Sequence, residues 1–114
     1  MNQTASVSVA ALRGALSART PPVLLDVRRR PARAASPLGL EAAVWRDPAA
    51  VDTWAAQLAP DLAVVCYCVH GHEVSQGVAA ALRAKGLDAA YLAGGIEGWR
   101  AAGGAVAPLD EVAP

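Results

Sequence analysis

Residues 62–75 read Leu62-Ala63-Val64-Val65-Cys66-Tyr67-Cys68-Val69-His70-Gly71-His72-Glu73-Val74-Ser75. The apolar run that opens this stretch is typical of a strand buried on both faces, as in a parallel sheet. The alanine-rich segment from Ser75 to Lys85 has helical spacing and stops at Gly86, a residue favoured just past a helix end. The sequence therefore predicts a buried strand, a short loop that begins at Cys68, and a helix.

The thiol of Cys68 lies where the predicted strand ends and the helix begins. Backbone N–H groups at a helix start have no partner inside the helix, and the helix dipole adds partial positive charge there. Both effects stabilise the thiolate, which is the reactive form of cysteine. We therefore expect Cys68 to be a nucleophile in a polar, exposed site. A packing role suits Cys66 better, because that residue lies inside the strand.

Further apolar runs alternate with helical patterns along the chain. We predict strands at residues 7–9, 23–27, 43–45, 62–67 and 89–92, and helices at residues 10–18, 47–58, 75–85 and 96–102. Residues 28–43 are expected to be irregular. This alternation predicts an α/β fold with an open parallel sheet of about five strands and helices on both faces. We expect one domain, 1–114, with its core at about 6–104 and a loose C-terminal tail at 105–114.

Composition excludes several classes of protein. The 114 residues carry ten Lys and Arg against ten Asp and Glu, so no global positive field attracts nucleic acid or an anionic membrane. The start of the chain lacks the basic and apolar regions of a signal peptide, and the longest apolar run is too short to cross a membrane. Two cysteines two positions apart do not form a disulfide framework. We expect a soluble protein of the cytoplasm.

The strand at residues 23–27 contributes a second candidate site residue. Sites in open α/β sheets lie at the carboxyl ends of the strands, where both Asp26 and Cys68 are predicted to lie. We expect Asp26 to act by orientation, either accepting loop N–H groups or pairing with Arg28. The arginines that follow, Arg28 to Arg30 with Arg33, are either a solvated charge run or face the mouth of the site and attract anions.

Three motifs occur in a characteristic order: Leu25-Asp26-Val27-Arg28, the loop from Cys68 to Ser75, and Gly94-Gly95-Ile96-Glu97-Gly98-Trp99. Together they resemble the rhodanese-like sulfurtransferase family, as a single-domain rhodanese, over about residues 6–104. The resemblance implies transfer of sulfane sulfur through a persulfide on Cys68. It implies thiosulfate or a persulfide as donor, cyanide or a thiol as acceptor, and a protein as a further possible sulfur acceptor. It implies no cofactor and no nucleic-acid or membrane partner.

The same resemblance implies a set of site residues. Cys68 is the implied catalytic nucleophile. The implied substrate-binding residues are Val69, His70, Gly71, His72, Glu73, Val74, Ser75, Asp26 and Arg28. The N–H groups of residues 69–74 would form an anion-binding ring, and Gly71 would permit the backbone angles that such a ring requires.

The loop departs from the family pattern in two respects. Ser75 stands seven positions after the cysteine, where the family usually has Ser or Thr at six. Longer loops resemble the family's phosphatase and arsenate reductase relatives, which end their loop with an arginine that this chain lacks. The loop also carries no Arg or Lys, only His70 and His72, so a persulfide is expected to be a better donor than thiosulfate. A weakly catalytic sulfur-carrier or interaction module is the main alternative, and a phosphatase-type enzyme is a lesser one.

Cysteine and histidine alternate at Cys66, Cys68, His70 and His72, which suggests a zinc site. Adjacent alternating residues on a strand line up, however, and do not surround an ion. We therefore expect no metal.

Overall fold

The computed structural model describes residues 5–109. Its strands are β1 (Ser6–Val7), β2 (Val23–Asp26), β3 (Leu38–Leu40), β4 (Val44–Trp45), β5 (Val64–Tyr67), β6 (Ala89–Leu92) and β7 (Val106–Pro108). Its helices are α1 (Val9–Leu16), α2 (Arg30–Ala35), α3 (Val51–Trp54), α4 (Glu73–Ala84) and α5 (Gly95–Ala101). Two 3₁₀ turns, Pro48–Ala50 and Ala55–Gln57, flank α3.

Five of these strands form one parallel sheet in the order β1-β6-β5-β2-β4. The two apolar runs that dominate the sequence, β2 and β5, are neighbours near its centre, with Leu25 opposite Cys66 and Asp26 opposite Tyr67. The predicted α/β class, strand number and parallel arrangement are confirmed.

The sheet is packed on both faces, as the two-sided apolar strands require. Alternate residues of each strand point to opposite faces, so Val64 and Cys66 join one core while Val65 and Tyr67 join the other. The first core includes Trp54 of α3 and the apolar face of α4, and the second includes Leu12 of α1 and Trp99 of α5.

Several segments differ from the sequence prediction. The strand predicted at residues 7–9 is β1 at Ser6–Val7, because Ser8 caps α1 and Val9 begins that helix. Residues 28–43 are not irregular: they contain α2 and β3. Pro31 occupies the first turn of α2, where proline removes no helical hydrogen bond, so it does not prevent a helix there. The tail is not loose throughout, because β7 pairs antiparallel with β3. The rest of the predicted tail, 110–114, and the start of the chain, 1–4, lie outside the described residues.

The helix predicted at 47–58 forms as one α-helical turn between two 3₁₀ turns. Asp47 caps it as expected, since its carboxylate accepts a hydrogen bond from the Ala49 N–H at 2.9 Å. The α4 helix begins at Glu73, two residues earlier than predicted. Its end follows the prediction: Gly86 has a φ of +89° and donates to the Arg83 carbonyl at 3.0 Å.

Between residues 5 and 109, no helix combines the length and the apolar character needed to cross a membrane.

Candidate active site

The Cys68 side chain lies directly after β5, at the carboxyl edge of the parallel sheet. It is 6 % exposed, so it is less open than the sequence suggested. Its Sγ lies 3.1 Å from the Oγ of Ser75, a fully buried residue in the first turn of α4. The thiol donates to this oxygen, whereas after deprotonation the Ser75 hydroxyl can donate to the sulfur. Ser75 is therefore a polar partner for either protonation state.

The loop from Cys68 to His72 is fixed by hydrogen bonds that its carbonyl groups accept from neighbouring helices. The N–H groups of Ile96 and Glu97 donate to the carbonyls of Cys68 and Val69 at 2.9 and 3.1 Å, and the Gln76 amide donates to Gly71 at 3.0 Å. No hydrogen bond within residues 5–109 uses the backbone N–H groups of residues 69–75 as donors. The loop that follows Cys68 therefore has N–H groups without a partner among the described residues, and such groups are what an anion-binding loop requires.

Two glycines allow the loop to approach the turn that precedes α5. Gly71 has a φ of +76°, and a Cβ on it would lie 2.7 Å from the Gly94 nitrogen and the Leu92 oxygen. Gly95 has a φ of +60°, and a Cβ there would lie 2.5 Å from the carbonyl oxygens of Cys68 and Val69. Such distances exclude any side chain, so both glycines are required by backbone contact as well as by conformation.

Within residues 5–109 the Asp26 carboxylate makes no hydrogen bond to the loop; it pairs with Arg28. The guanidinium donates from Nε and Nη2 to the carboxylate at 2.7–3.0 Å, and the Arg28 N–H adds a bond of 2.9 Å. The Tyr67 hydroxyl also donates to the carboxylate, at 3.0 Å, and accepts from the Leu40 N–H at 3.0 Å. Both members of the ion pair are almost fully buried. Two roles were expected for Asp26, accepting loop N–H groups or pairing with Arg28, and the structure shows the pairing.

A pocket of about 260 Å³ opens over Cys68. Its wall consists of Arg28, Arg29, Ala32, Cys68, Val69, His70, His72, Glu73 and Val74. Most of the predicted site residues are thus brought together. The remaining three are not in the wall: Gly71 packs against the α5 turn, Ser75 lies behind the sulfur, and Asp26 lies behind Arg28. Their roles in binding stay predictions.

The second thiol has a different environment. Burial raises the pKa of the Cys66 thiol from 9.0 to about 12, and the nearby Cys68 adds to the effect. The Cys66 Sγ lies 3.4 Å from the Ser75 carbonyl oxygen and 3.5 Å from that of Ala90. Both cysteines are free thiols. Cys66 has the buried position predicted for a packing residue.

The rings of His70 and His72 lie 6.1 Å apart and tilted, and both residues are exposed. Within the described residues, no three His, Cys, Asp or Glu side chains are grouped closely enough to hold a metal ion. The alternating cysteines and histidines thus end in different surroundings, two thiols buried and two imidazoles at the surface.

A thiol at the carboxyl edge of a parallel sheet, followed by a loop and a helix start, is the arrangement that the three motifs predict. A family model described as "Rhodanese-like domain" matches residues 8–102. The chain belongs to the rhodanese-like domain family.

Solved structures share the rhodanese-like fold. A rhodanese-related protein from Thermoplasma volcanium is 22% identical, the match covers 90% of this chain and 97% of that one, and the TM-score is 0.78. A possible tyrosine phosphatase of unknown function from Rhodopseudomonas palustris is 22% identical, with coverages of 91% and 85% and a TM-score of 0.77. A thiosulfate sulfurtransferase from Pseudomonas aeruginosa is 28% identical, with a TM-score of 0.76, over 92% of this chain but only 20% of that one. No curated protein matches the chain.

Two residues of the rhodanese-like site were not expected from the sequence. Tyr67 holds the Asp26 carboxylate, and Ile96 holds the Cys68 carbonyl. Arg29 lies in the pocket wall, which is the second of the two positions expected for the arginine run. Strand alternation could have indicated Tyr67, because it lies opposite Asp26 in the register of β2 and β5. No local pattern indicates the contact between Ile96 and Cys68.

Proposed function

We propose that this rhodanese-like domain is a sulfurtransferase that moves sulfane sulfur from thiosulfate or a persulfide to cyanide or a thiol. The observation that carries the proposal is the Cys68 sulfur at the sheet edge, 3.1 Å from Ser75 Oγ and directly before a loop whose N–H groups no described residue uses. The similarity to a thiosulfate sulfurtransferase from Pseudomonas aeruginosa supports it.

The first half-reaction loads the cysteine. The Cys68 thiolate attacks the outer sulfur of thiosulfate, the S–S bond of the donor breaks, and sulfite leaves with the electron pair. The product is a Cys68 persulfide that carries the negative charge on its outer sulfur. The N–H groups of residues 69–74 would stabilise both this anion and the departing sulfite, because fixed donors need no reorganisation as charge moves.

The second half-reaction unloads the cysteine. Cyanide or a thiolate attacks the outer sulfur, the S–S bond of the persulfide breaks, and the electron pair returns to Cys68 as a thiolate. The two half-reactions make a ping-pong cycle with a covalent intermediate. Ser75 would donate its hydroxyl proton in a hydrogen bond to sulfur whenever Cys68 is anionic.

Charges around the pocket favour some donors over others. Glu73 adds a negative charge to the pocket wall, which opposes a dianion such as thiosulfate, while Arg29 supplies a cation from outside the loop. A monoanionic or organic persulfide therefore suits the pocket better. The two free thiols support a reducing compartment such as the cytoplasm for this chemistry.

A sulfur-carrier role is the second candidate, and Glu73 together with the absence of Lys and Arg from the loop favours it. A carrier would hold the same Cys68 persulfide for a protein partner and turn over small substrates slowly. Phosphate ester hydrolysis has less support. A phosphatase of this type needs an arginine that binds the substrate oxyanion. Arg28 lies in the pocket wall, but its guanidinium is already paired with the Asp26 carboxylate.

The intact mass of reduced protein, measured before and after incubation with thiosulfate or an organic persulfide, tests the proposal. We expect a gain of one sulfur atom that cyanide reverses. Cys68→Ser should show no gain, and Cys66→Val serves as the matched control that retains it.

The outcomes separate the candidates. No gain with any donor would refute sulfur transfer through Cys68. A gain that a protein acceptor discharges but cyanide and small thiols do not would favour the carrier. Release of phosphate from an aryl phosphate by the wild type, but not by Cys68→Ser, would favour the phosphatase.

A further inference from the structure

A second cavity opens beside the Cys68 pocket and shares Arg29 and Val74 with it. Its volume is about 540 Å³, against about 260 Å³ for the Cys68 pocket. The larger cavity falls in the range of roughly 300–1,000 Å³ that small-molecule sites have. Thiosulfate is small enough to react without entering it, so the larger cavity has room for a part of a substrate that thiosulfate lacks.

We call this cavity the α4 groove. One wall is formed by Val74, Gly77 and Val78, which are three and four positions apart and share one helix face. The other wall includes Pro48 and Val51, and the lining also contains Asp47, Arg29 and Arg30. The groove thus has an apolar helix face and a charged side, and it starts in the same helical turn as Ser75, the partner of Cys68.

Gly77 keeps this groove open. A Cβ on Gly77 would meet no atom within 4 Å, so the position has space for a side chain and lacks one. Glycine inside a helix is less stable than alanine, so helix stability does not account for the residue. Gly77 lines the groove, and a side chain at this position would narrow it.

A cation stands where the groove meets the pocket. Arg29 is exposed, and within residues 5–109 its side chain makes neither an ion pair nor a hydrogen bond. Its neighbour Arg30 differs, because its Nε lies 3.4 Å from an Asp47 carboxylate oxygen and its guanidinium lies over Trp45. Arg29 is therefore placed to bind a carboxylate on a molecule whose apolar part enters the groove.

We propose that the α4 groove binds the organic part of a small carboxylate-bearing thiol, and that the domain takes its sulfur from the persulfide of that thiol. The inference rests on the sulfur-transfer function proposed above. The Cys68 thiolate attacks the outer sulfur of R–S–SH, the S–S bond breaks, and R–S⁻ leaves with the electron pair. The apolar part of R contacts Val74 and Val78, and its carboxylate pairs with Arg29. This arrangement selects an organic anion although the loop carries no Lys or Arg.

Blocking the groove tests the proposal. We would measure kcat/KM for Cys68 persulfide formation with glutathione persulfide and with thiosulfate, and compare their ratio between variants. Gly77→Leu should lower the ratio about tenfold or more, because its side chain fills the space the organic part needs. Gly14→Leu is the matched control: Gly14 is a helical glycine of α1 with the same open space, and its ratio should not change. Equal ratios in Gly77→Leu and the wild type would overturn the proposal.

The role of Arg29 requires a separate comparison. The persulfides of glutathione and of glutathione diethyl ester share their sulfur chemistry but differ in their carboxylates. Arg29→Gln should lower the preference for the free acid about tenfold, the effect of losing one charge-assisted hydrogen bond. If Arg29→Gln and the wild type prefer the free acid equally, Arg29 does not bind the carboxylate.

Binding without reaction distinguishes failure of the groove from failure of the proposed function. S-Methylglutathione cannot transfer sulfur, and calorimetry should show that it binds the wild type and Gly14→Leu but not Gly77→Leu. Loading of Cys68 by thiosulfate without this binding would overturn the groove and keep the function. Binding without loading by any donor would keep the groove as a thiol site and refute the function.

Discussion

Cys66 and Cys68 are two residues apart, yet their chemistry differs because their surroundings differ. Cys68 faces a pocket and a hydroxyl, while Cys66 is enclosed by the core that includes Val78 and Leu82. Burial raises the pKa of Cys66 to about 12, so its thiol stays protonated at pH 8.

We therefore predict selective alkylation. Iodoacetamide at pH 8 should label native protein once, at Cys68, and should label Cys66 only after unfolding, because the thiolate is the attacking form. Peptide mapping by mass spectrometry locates the label. Cys68→Ser is the control, and rapid labelling of that variant in its native state would contradict the prediction.

The buried ion pair of Asp26 and Arg28 predicts a second effect at single residues. Arg28→Met leaves the carboxylate without its cation and should lower the free energy of unfolding by about 3–5 kcal/mol. Arg30→Met breaks an exposed contact with Asp47 and should cost about 1 kcal/mol or less. Urea denaturation measures both. Asp26→Asn added to Arg28→Met should recover part of the loss, and equal losses in the two single variants would show that burial does not decide the effect.

At the level of elements, the start of α5 holds the loop that begins at Cys68, and Gly95 is the point of contact. Gly95→Ala would drive a Cβ against the carbonyls of Cys68 and Val69. We expect the free energy of unfolding to fall by more than the roughly 1–2 kcal/mol that a left-handed alanine costs, and sulfur transfer to slow about tenfold.

Gly94→Ala is the matched control for this prediction. Gly94 also has a positive φ, +83°, but a Cβ there would lie an ordinary 3.5 Å from Gly98. It should show the conformational cost and retain the rate. Equal rates in Gly94→Ala and Gly95→Ala would mean that the contact between the loop and α5 does not position Cys68.

Elements with a strong local pattern were predictable from the sequence. The uninterrupted runs at 23–27 and 62–67 predicted the central strands, and the end of the second run predicted the position of Cys68 at the sheet edge. Pairing between distant segments was not predictable, because β3 and β7 are short and each becomes a strand only through the other. The bonds from α5 to the loop escaped prediction for the same reason. The catalytic role of Cys68 stays a prediction that the mass measurement tests.

For the whole molecule, two buried acidic groups make stability depend on pH. Burial raises the pKa of Cys66 from 9.0 to about 12, and burial with the charge of Asp26 raises the pKa of Tyr67 above its usual range. The folded chain therefore retains protons that the unfolded chain releases. This contribution is complete below pH about 8.5 and is lost as the pH rises toward the folded pKa values.

We predict that the contribution of Cys66 and Tyr67 to the free energy of unfolding is constant up to pH about 8.5 and then falls as the pH rises. Each group adds a slope of up to about 1.4 kcal/mol per pH unit while only its unfolded form is ionised. Urea denaturation from pH 7 to 11 measures the slope. Cys66→Val should fall less steeply than the wild type between pH 9 and 11, and an identical slope would exclude Cys66 as a source of the dependence.

The protonated state of Cys66 also affects how long a persulfide on Cys68 would last. A neighbouring reactive thiol would attack a persulfide on Cys68, form a disulfide and release the sulfur as hydrosulfide. Cys66 is the only other cysteine in the sequence, and its buried thiol stays protonated at neutral pH. If Cys68 carries a persulfide as proposed, Cys66 gives it no internal route of discharge, and the arrival of an acceptor from outside would then set the lifetime of the sulfur.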